Sequence, residues 1–203
     1  MTHSMSFSAG RRRLLQGAGA VWALTALSAC SEAPGFVGID ITGADYAQDF
    51  DLLDHHGRRR TLADFRGKAV VIFFGFTQCP DVCPTSMAEL AQARRLLGAD
   101  GERLQGLFIS VDPERDTPDL MREYMAAFDP SFLALNVPLD QLPDLAKRFR
   151  IYYKKVPGST PETYTLDHSA GSYVYDPQGR LRLYHRYGSG AEALAADIRQ
   201  LLR

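Results

Sequence analysis

The fold is decided by residues 69–84, which read AVVIFFGFTQCPDVCP. The first half of this stretch is a continuous apolar run rich in β-branched and aromatic residues. Such a run predicts a strand with both faces buried, as in the centre of an α/β sheet. The second half brings Cys79 and Cys83 to the carboxyl end of that strand. Open α/β sheets place their functional sites at this end, so we expect the chemistry of the protein there.

Other segments predict the rest of a mixed central sheet flanked by helices. Residues 50–53 and 58–62 flank an Asp-His-His-Gly turn and predict an added N-terminal β-hairpin, with His55 and His56 as solvated turn residues. Further strands are predicted at residues 104–111, 172–175 and 181–187, and helices are predicted to begin near Ser86, Thr117, Leu142 and Ser189. Capping boxes support the helix starts at Ser86 and Ser189, and a right-handed crossover should join the central strand to the next.

The first thirty residues read as an export signal. A basic cluster at Arg11–Arg13 precedes residues 14–29, which carry no charge but are too short and too rich in small residues for a membrane-spanning helix. The run ends in Leu27-Ser28-Ala29-Cys30, which resembles the bacterial lipobox, and this resemblance implies cleavage before Cys30 and acylation of that cysteine. Residues 10–15 also resemble the twin-arginine export signal. The alternative is an uncleaved anchor helix, and both interpretations place the domain outside the cytoplasm at a membrane surface.

These features divide the chain into three segments. Residues 1–29 are the export signal, residues 30–48 are the lipidated cysteine with a tether, and residues 49–203 are the folded domain. Removing the three arginines of the signal from 23 basic residues leaves 20 against 24 acidic ones, a net charge of −4. This acidic balance argues against a nucleic-acid partner. We expect an exported lipoprotein that faces the periplasm or the cell exterior.

The two cysteines of the domain are spaced Cys-x-x-x-Cys, one residue longer than the redox Cys-x-x-Cys motif. Their place at a helix N-terminus favours the thiolate form, which is the reactive and metal-binding form. Two thiolates do not complete a metal site, so a distant residue must contribute. His168 precedes a predicted strand in a loop of small residues, whereas a structural or surface role is favoured for the mid-strand His185. For His168 taken alone, a partly buried histidine with satisfied hydrogen bonds is the alternative.

Three motifs together carry a family resemblance. Residues 75–84, 111–118 and 167–169 read GFTQCPDVCP, VDPERDTP and DHS, and in this order and spacing they resemble the signatures of the Sco/SenC family. The resemblance covers about residues 45–203. It implies a thioredoxin-like fold, copper binding, and a role in building the binuclear copper centre of cytochrome c oxidase.

The metal ligands that the resemblance implies are Cys79, Cys83 and His168. Two thiolates select soft Cu(I), and an added imidazole makes a site that also holds Cu(II), with one copper per chain; zinc is the chemical alternative. Three ligands leave a position open for ligand exchange with a partner. The expected partners are the copper-centre subunit of the oxidase and a copper donor protein. The protein is then a metallochaperone rather than an enzyme.

Two other functions use the same cysteines. A thiol–disulfide oxidoreductase would reduce the oxidase subunit with Cys79 and Cys83 before metallation, without needing His168. A peroxide-reactive redox sensor would need a residue to bind peroxide, for which Thr77 and Thr85 are available. The loop contains no arginine for this role, which makes the sensor the least favoured of the three.

For several acidic and basic residues near the motifs, the sequence is compatible with more than one role. Asp112, Arg115 and Asp116 read either as catalytic acid and base or as an ion-pair and turn network, and we favour the network. Asp81 between the cysteines either tunes the loop, meets a partner or is merely solvated, and we do not assign it as a ligand. Asp167 is a candidate for orienting the neighbouring His168.

Overall fold

A computed structural model describes residues 2–3, 35–160 and 163–203. The predicted lipidation site Cys30 therefore lies outside the described residues, as does nearly all of the predicted export signal. Residues 36–203 form one compact unit. In the described part of the chain, no helix has the length and apolar character needed to cross a membrane.

The unit contains ten strands and four α-helices among its described residues. The strands are β1 (Ile39–Asp40), β2 (Leu52–Asp54), β3 (Arg59–Arg60), β4 (Ala69–Gly75), β5 (Leu104–Ser110), β6 (Leu133–Asn136), β7 (Tyr153–Pro157), β8 (Tyr164–His168), β9 (Ser172–Tyr175) and β10 (Leu181–His185). The helices are α1 (Val82–Leu96), α2 (Pro118–Ala126), α3 (Leu142–Phe149) and α4 (Ala191–Leu201), with short 3-10 helices at Leu62–Phe65 and Gly98–Arg103.

Eight of the strands form one mixed sheet in the order β1-β10-β9-β4-β5-β6-β2-β3. Strand β4 lies in its centre, parallel to β5 and antiparallel to β9, and β5 is parallel to β6. Strands β2 and β3 form the predicted N-terminal hairpin. Strands β7 and β8 pair only with each other in a separate antiparallel hairpin. The mixed sheet expected from the sequence is confirmed.

The central strand explains why helices cover both faces of the sheet. All seven residues of β4 are buried, so neither face of the strand meets water. Neighbouring side chains of a strand point to opposite faces. Phe74 packs against Phe149 of α3 with ring centroids 5.1 Å apart, whereas a Cβ at Gly75 would lie 2.8 Å from the Sγ of Cys83 in α1. Helices α1 and α3 therefore lie on opposite faces.

The turn between β2 and β3 differs from the prediction at one residue. His55 is buried rather than solvated, because its Nδ1 accepts a hydrogen bond from the backbone N–H of Ala134 at 3.1 Å. Burial lowers the pKa of His55, and its Nε2 lies 2.9 Å from that of the exposed His56. His55 thus links the hairpin to β6.

Two helix starts also differ from the prediction. Helix α1 begins at Val82, four residues before Ser86, whose hydroxyl donates back to the Val82 carbonyl instead of capping the helix. Helix α4 begins after Gly190, without the predicted side-chain cap from Ser189. The predicted cap of α2 is present, since Thr117 accepts a hydrogen bond from the backbone N–H of Leu120. Cys83 consequently lies in the first turn of α1 rather than ahead of it.

Candidate metal centre

Three side chains from distant parts of the sequence meet at the carboxyl end of β4. Cys79 lies in the loop after β4, Cys83 in the first turn of α1, and His168 at the last position of β8. One ligand atom from each lies within 4.8 Å of the other two. Within the described ranges this is the single cluster of three or more potential metal-ligating side chains.

The hydrogen bonds of His168 fix which of its nitrogens faces the cysteines. Its Nδ1 lies 2.9 Å from the backbone carbonyl of Ser169, and a carbonyl oxygen only accepts, so Nδ1 carries the proton of the neutral ring. Its Nε2 then presents a lone pair to Cys83, whose Sγ lies 3.3 Å away. This tautomer is the one that binds a metal through Nε2.

Two aromatic rings hold the imidazole in this orientation. The ring of Phe73 in β4 lies 6.0 Å from that of His168 at an interplanar angle of 84°, and the ring of Phe76 lies 5.8 Å away at 86°. Both are edge-to-face contacts, which are favoured by the charge distribution of aromatic rings. Sequence analysis did not assign these phenylalanines to the site, although both belong to the apolar run that predicted the strand.

The two sulfurs differ in their access to solvent. Cys83 is fully buried, whereas Cys79 is partly exposed, and both are free thiols. The backbone N–H of Cys83 donates to the Sγ of Cys79 at 3.4 Å, which uses one of the unpaired donors of the helix N-terminus. Of the two sulfurs, that of Cys79 is therefore the one open to solvent.

Burial controls the protonation of the ligands. Burial raises the pKa of the Cys83 thiol, outweighing a backbone hydrogen bond that lowers this pKa. The expectation that the helix N-terminus favours the thiolate is thus wrong for Cys83, because removal from water disfavours the charged form more strongly. Burial also lowers the pKa of His168 below its ordinary 6.5, so the ring is neutral at pH 7.

The arrangement fits a thiophilic metal ion. Ligand atoms that lie about 2.0–2.3 Å from a shared ion are about 3.5–4 Å from one another, so the observed spacing of the cluster needs only small side-chain movements. Two sulfurs and one imidazole nitrogen suit Cu(I), Cu(II) or zinc, and oxygen-seeking ions such as magnesium prefer other donors.

The acidic and basic residues after β5 form a network of ion pairs and hydrogen bonds. Asp116 is buried. It accepts two hydrogen bonds from Thr77, one from the hydroxyl at 2.6 Å and one from the backbone N–H at 3.1 Å. It accepts a third from the Ser110 hydroxyl at 2.6 Å. Burial raises the pKa of Asp116. Asp112 accepts a 2.5 Å bond from the Nε of Arg115. These contacts position the loop that carries Cys79, in agreement with the favoured interpretation.

The remaining predicted residues lie outside the cluster. His185 is buried, and its Nε2 lies 2.8 Å from an oxygen of Asp197 in α4, so its role is structural. Asp81 is exposed at the start of α1, and its side chain does not cap the helix. Asp167 is also exposed. The backbone carbonyl of Ser169, rather than the predicted Asp167 carboxylate, orients the His168 ring.

A thioredoxin-like sheet with two thiols and an imidazole at the end of its central strand defines the class of this protein. The chain belongs to the SCO1/SenC family, whose sequence profile matches residues 40–203. It is 40% identical over 154 residues to a Bos taurus protein described as "Protein SCO2 homolog, mitochondrial". That alignment covers 75% of this chain and 58% of the bovine protein, so the chain spans less than two thirds of this relative.

Solved structures share the fold over most of the domain. The copper-bound structure of Bradyrhizobium japonicum ScoI is 39% identical and superposes with a TM-score of 0.69, over 75% of this chain and 97% of that one. The solution structure of apo Sco1 from Thermus thermophilus is 36% identical with a TM-score of 0.72, over 82% of this chain and 97% of that one.

Proposed function

We propose that this protein is a copper-binding metallochaperone that delivers copper to the binuclear copper centre of cytochrome c oxidase. The observation that supports this proposal most directly is the distance of 3.3 Å between the His168 Nε2, which presents its lone pair, and the Cys83 sulfur. The family and its copper-bound member from Bradyrhizobium japonicum support copper as the cargo. One copper per chain would be held by Cys79, Cys83 and His168.

The unequal burial of the ligands supports a route for transfer. Cys79 is the more accessible of the two sulfur donors, and a site with three protein ligands leaves one position for a thiolate or imidazole of the recipient. Ligands of the recipient would replace those of the chaperone one at a time, so the ion is never released into water. The recipient would be the copper-centre subunit of the oxidase, and a separate protein would supply the copper.

The proposal includes a cellular location, which the signal-like sequence of the first thirty residues supports. Acylation of Cys30 would hold the domain at a membrane surface, facing the periplasm or the cell exterior. The oxidase is itself a membrane protein, so a tether would confine donor and recipient to the same surface and raise their effective concentration.

X-ray absorption at the copper K-edge tests the proposed site. The mature wild-type protein should bind about one copper per chain, with two sulfurs and one nitrogen around it. His168→Ala should lose the nitrogen, and Cys83→Ser should lose a sulfur and most of the affinity. His56→Ala, which removes an exposed imidazole elsewhere, is the control and should match the wild type. A reduced wild-type protein that takes up no copper would overturn the proposal.

The second candidate is reduction of the disulfide of the oxidase subunit by Cys79 and Cys83. The observation that favours it is the close approach of two free thiols, with the Cys83 N–H donating to the Cys79 sulfur. In this reaction a Cys79 thiolate attacks the partner disulfide, and Cys83 then displaces the reduced partner, leaving a disulfide on this protein. Partner reduction that survives His168→Ala but is lost in Cys79→Ser would select this function.

A further inference from the structure

Arg115 lies where three segments around the metal centre meet. Its Nε donates to Asp112 in the loop after β5 at 2.5 Å. Its Nη1 donates to the side-chain oxygen of Gln78 in the cysteine loop at 3.1 Å, and to the backbone carbonyl of Tyr164 in β8 at 2.8 Å. One guanidinium thus joins the cysteine loop to the hairpin that carries His168.

The contact between Arg115 and Tyr164 is the closest cation–π pair at the site. The guanidinium carbon lies 3.6 Å from the centroid of the Tyr164 ring, and the Tyr164 hydroxyl donates to Asp112 at 2.7 Å. Arg115, Asp112 and Tyr164 therefore form a closed triangle of contacts. Each contact restricts the other two, so the start of β8 is held in one position.

Tyr164 and His168 lie on the same face of β8. Alternate residues of a strand face the same side, and Tyr164, Leu166 and His168 form the inward face of this one, with the residues between them exposed. The hairpin has no strand partner in the main sheet, so it is held by the buried Leu166 side chain, by the bond from Arg115 to the Tyr164 carbonyl, and by its chain connections to α3 and β9.

A second contact of the same loop also reaches the hairpin. Lys155 of β7 forms an ion pair with Glu114, and its Nζ lies 4.4 Å from the Tyr164 ring centroid. Both partners are about half exposed, and exposed ion pairs contribute little. Arg115, with only 16% of its side chain exposed, is the stronger attachment.

We propose that Arg115 is the positioning residue that holds the β7–β8 hairpin closed over the two cysteines, and so keeps His168 at the metal. This inference rests on the proposed copper site. Opening the contact between Arg115 and Tyr164 withdraws the imidazole, leaves copper on two sulfurs, and frees a second position beside the one that the three-ligand site leaves open for the recipient. A surface of the recipient that competes for the guanidinium would couple docking to release.

The planar shape of the guanidinium is what the role requires. A lysine at this position keeps the positive charge but does not reach a carboxylate, an amide and a carbonyl while lying flat on a ring. One nitrogen of Arg115, Nη2, is buried without a hydrogen-bond partner among the described residues. An unpaired buried donor carries a free-energy cost, which the closed arrangement bears.

Hydrogen exchange on the copper-free protein tests the positioning directly. Arg115→Ala should raise exchange at the backbone amides of β8 about tenfold, while the amides of β4 and β5 keep their protection. Tyr164→Leu, which removes the ring but not the arginine, should have the same local effect. Arg122→Ala is the matched control, because it removes an exposed arginine whose partner is Asp119 on the same helix.

Copper transfer to a Cu(I) chelator gives the second measurement. Arg115→Ala and Tyr164→Leu should each transfer copper about tenfold faster than the wild type, as expected from loss of a partly buried cation–π contact. Arg115→Lys should remain close to Arg115→Ala if geometry rather than charge is required. Electron paramagnetic resonance of the Cu(II) form should show weakened nitrogen coupling in the same variants.

The outcomes separate this inference from the proposed function. Arg115→Ala with wild-type exchange in β8 and wild-type transfer would overturn the positioning role. Full rescue by Arg115→Lys would replace it with a simple charge effect. Failure of the wild type to bind copper would refute the proposed function, while the hydrogen exchange of the copper-free variants would still decide whether Arg115 holds the hairpin.

Discussion

The Sγ of Cys83 and the Nε2 of His168 lie 3.3 Å apart although 85 residues separate them in the sequence. Cys83 is held in the first turn of α1 below the end of the central strand, and His168 ends a hairpin outside the main sheet. The contact joins the buried centre of the domain to the hairpin outside the main sheet. Three predictions test what surrounds this contact, and a fourth tests how the N-terminal end of the domain is attached.

Gly75 leaves the space that the buried sulfur occupies. A Cβ at this position would lie 2.8 Å from the Sγ of Cys83 and 2.9 Å from the ring of Phe108. Gly75→Ala should therefore lower the free energy of unfolding by about 1–3 kcal/mol and weaken copper binding. Urea unfolding and chelator competition measure the two effects. Gly35→Ala is the control, and equal results for the two variants would contradict the explanation.

Asp116 should be sensitive to replacement by its uncharged isostere. Its two oxygens accept from Thr77 and Ser110, and the amide of an asparagine in its place would turn a donor toward one of these partners. Asp116→Asn should cost about 1–3 kcal/mol of stability and reduce copper affinity by releasing the cysteine loop. Asp119→Asn, at an exposed position, is the control, and thermal unfolding compares the stability of the two variants. An unchanged copper affinity in Asp116→Asn would show that the network does not position the loop.

Copper binding should strengthen as pH rises. Burial raises the pKa of Cys83, so the thiol is protonated at pH 7 and copper must displace its proton. The pKa of His168 is lowered by burial, so this ring competes for protons only below pH 6.5. Affinity should rise about tenfold per pH unit for each proton displaced. Chelator competition between pH 7 and 9, corrected for titration of the chelator, measures the slope, which Cys83→Ser should reduce.

Asp197 should hold the N-terminal end of the domain to α4. Its carboxylate accepts from the backbone N–H groups of Val37 at 2.9 Å and Gly38 at 2.7 Å, and it pairs with His185. Asp197→Ala leaves these groups without their acceptor and should cost about 2–4 kcal/mol. Hydrogen exchange should rise first at residues 37–40. Asp144→Ala, at an exposed position, should change neither the stability nor the hydrogen exchange. An equally small effect from both variants would show that Asp197 does not hold residues 37–38 to α4.

The elements that were predicted well are those whose structure is determined by residues close together in the sequence. The apolar run of residues 69–76 predicted a buried central strand, which is observed at Ala69–Gly75. The Thr117-Pro118 pair predicted the start of α2, which begins at Pro118. In both cases the structure is determined by neighbouring residues. A strand buried on two faces needs a continuous apolar run, and a helix cap needs particular residues at the first few positions, so both can be recognised from a short stretch of sequence.

The parts that sequence analysis missed depend on contacts between distant residues. The β7–β8 hairpin was not predicted, because β7 does not alternate regularly and the alternation in β8 covers only 5 residues, and His168 was therefore expected in a loop. Tyr164 had no sequence signal for its role beneath Arg115. The raised pKa of Cys83 arises from burial, which the cysteine spacing does not reveal. Only the family resemblance brought the histidine and cysteines together in advance.

The separation of the β7–β8 hairpin from the main sheet has a consequence for variation and design. Both sulfurs belong to the part of the domain built on the central strand, whereas the imidazole belongs to a ribbon that shares no backbone pairing with that strand. A change of the donor at position 168 therefore alters the ligand set without touching the backbone pairing of the main sheet, whereas Leu166 of the same ribbon is buried in the core. The third ligand can thus be exchanged while the paired strands that carry the two sulfurs stay as they are.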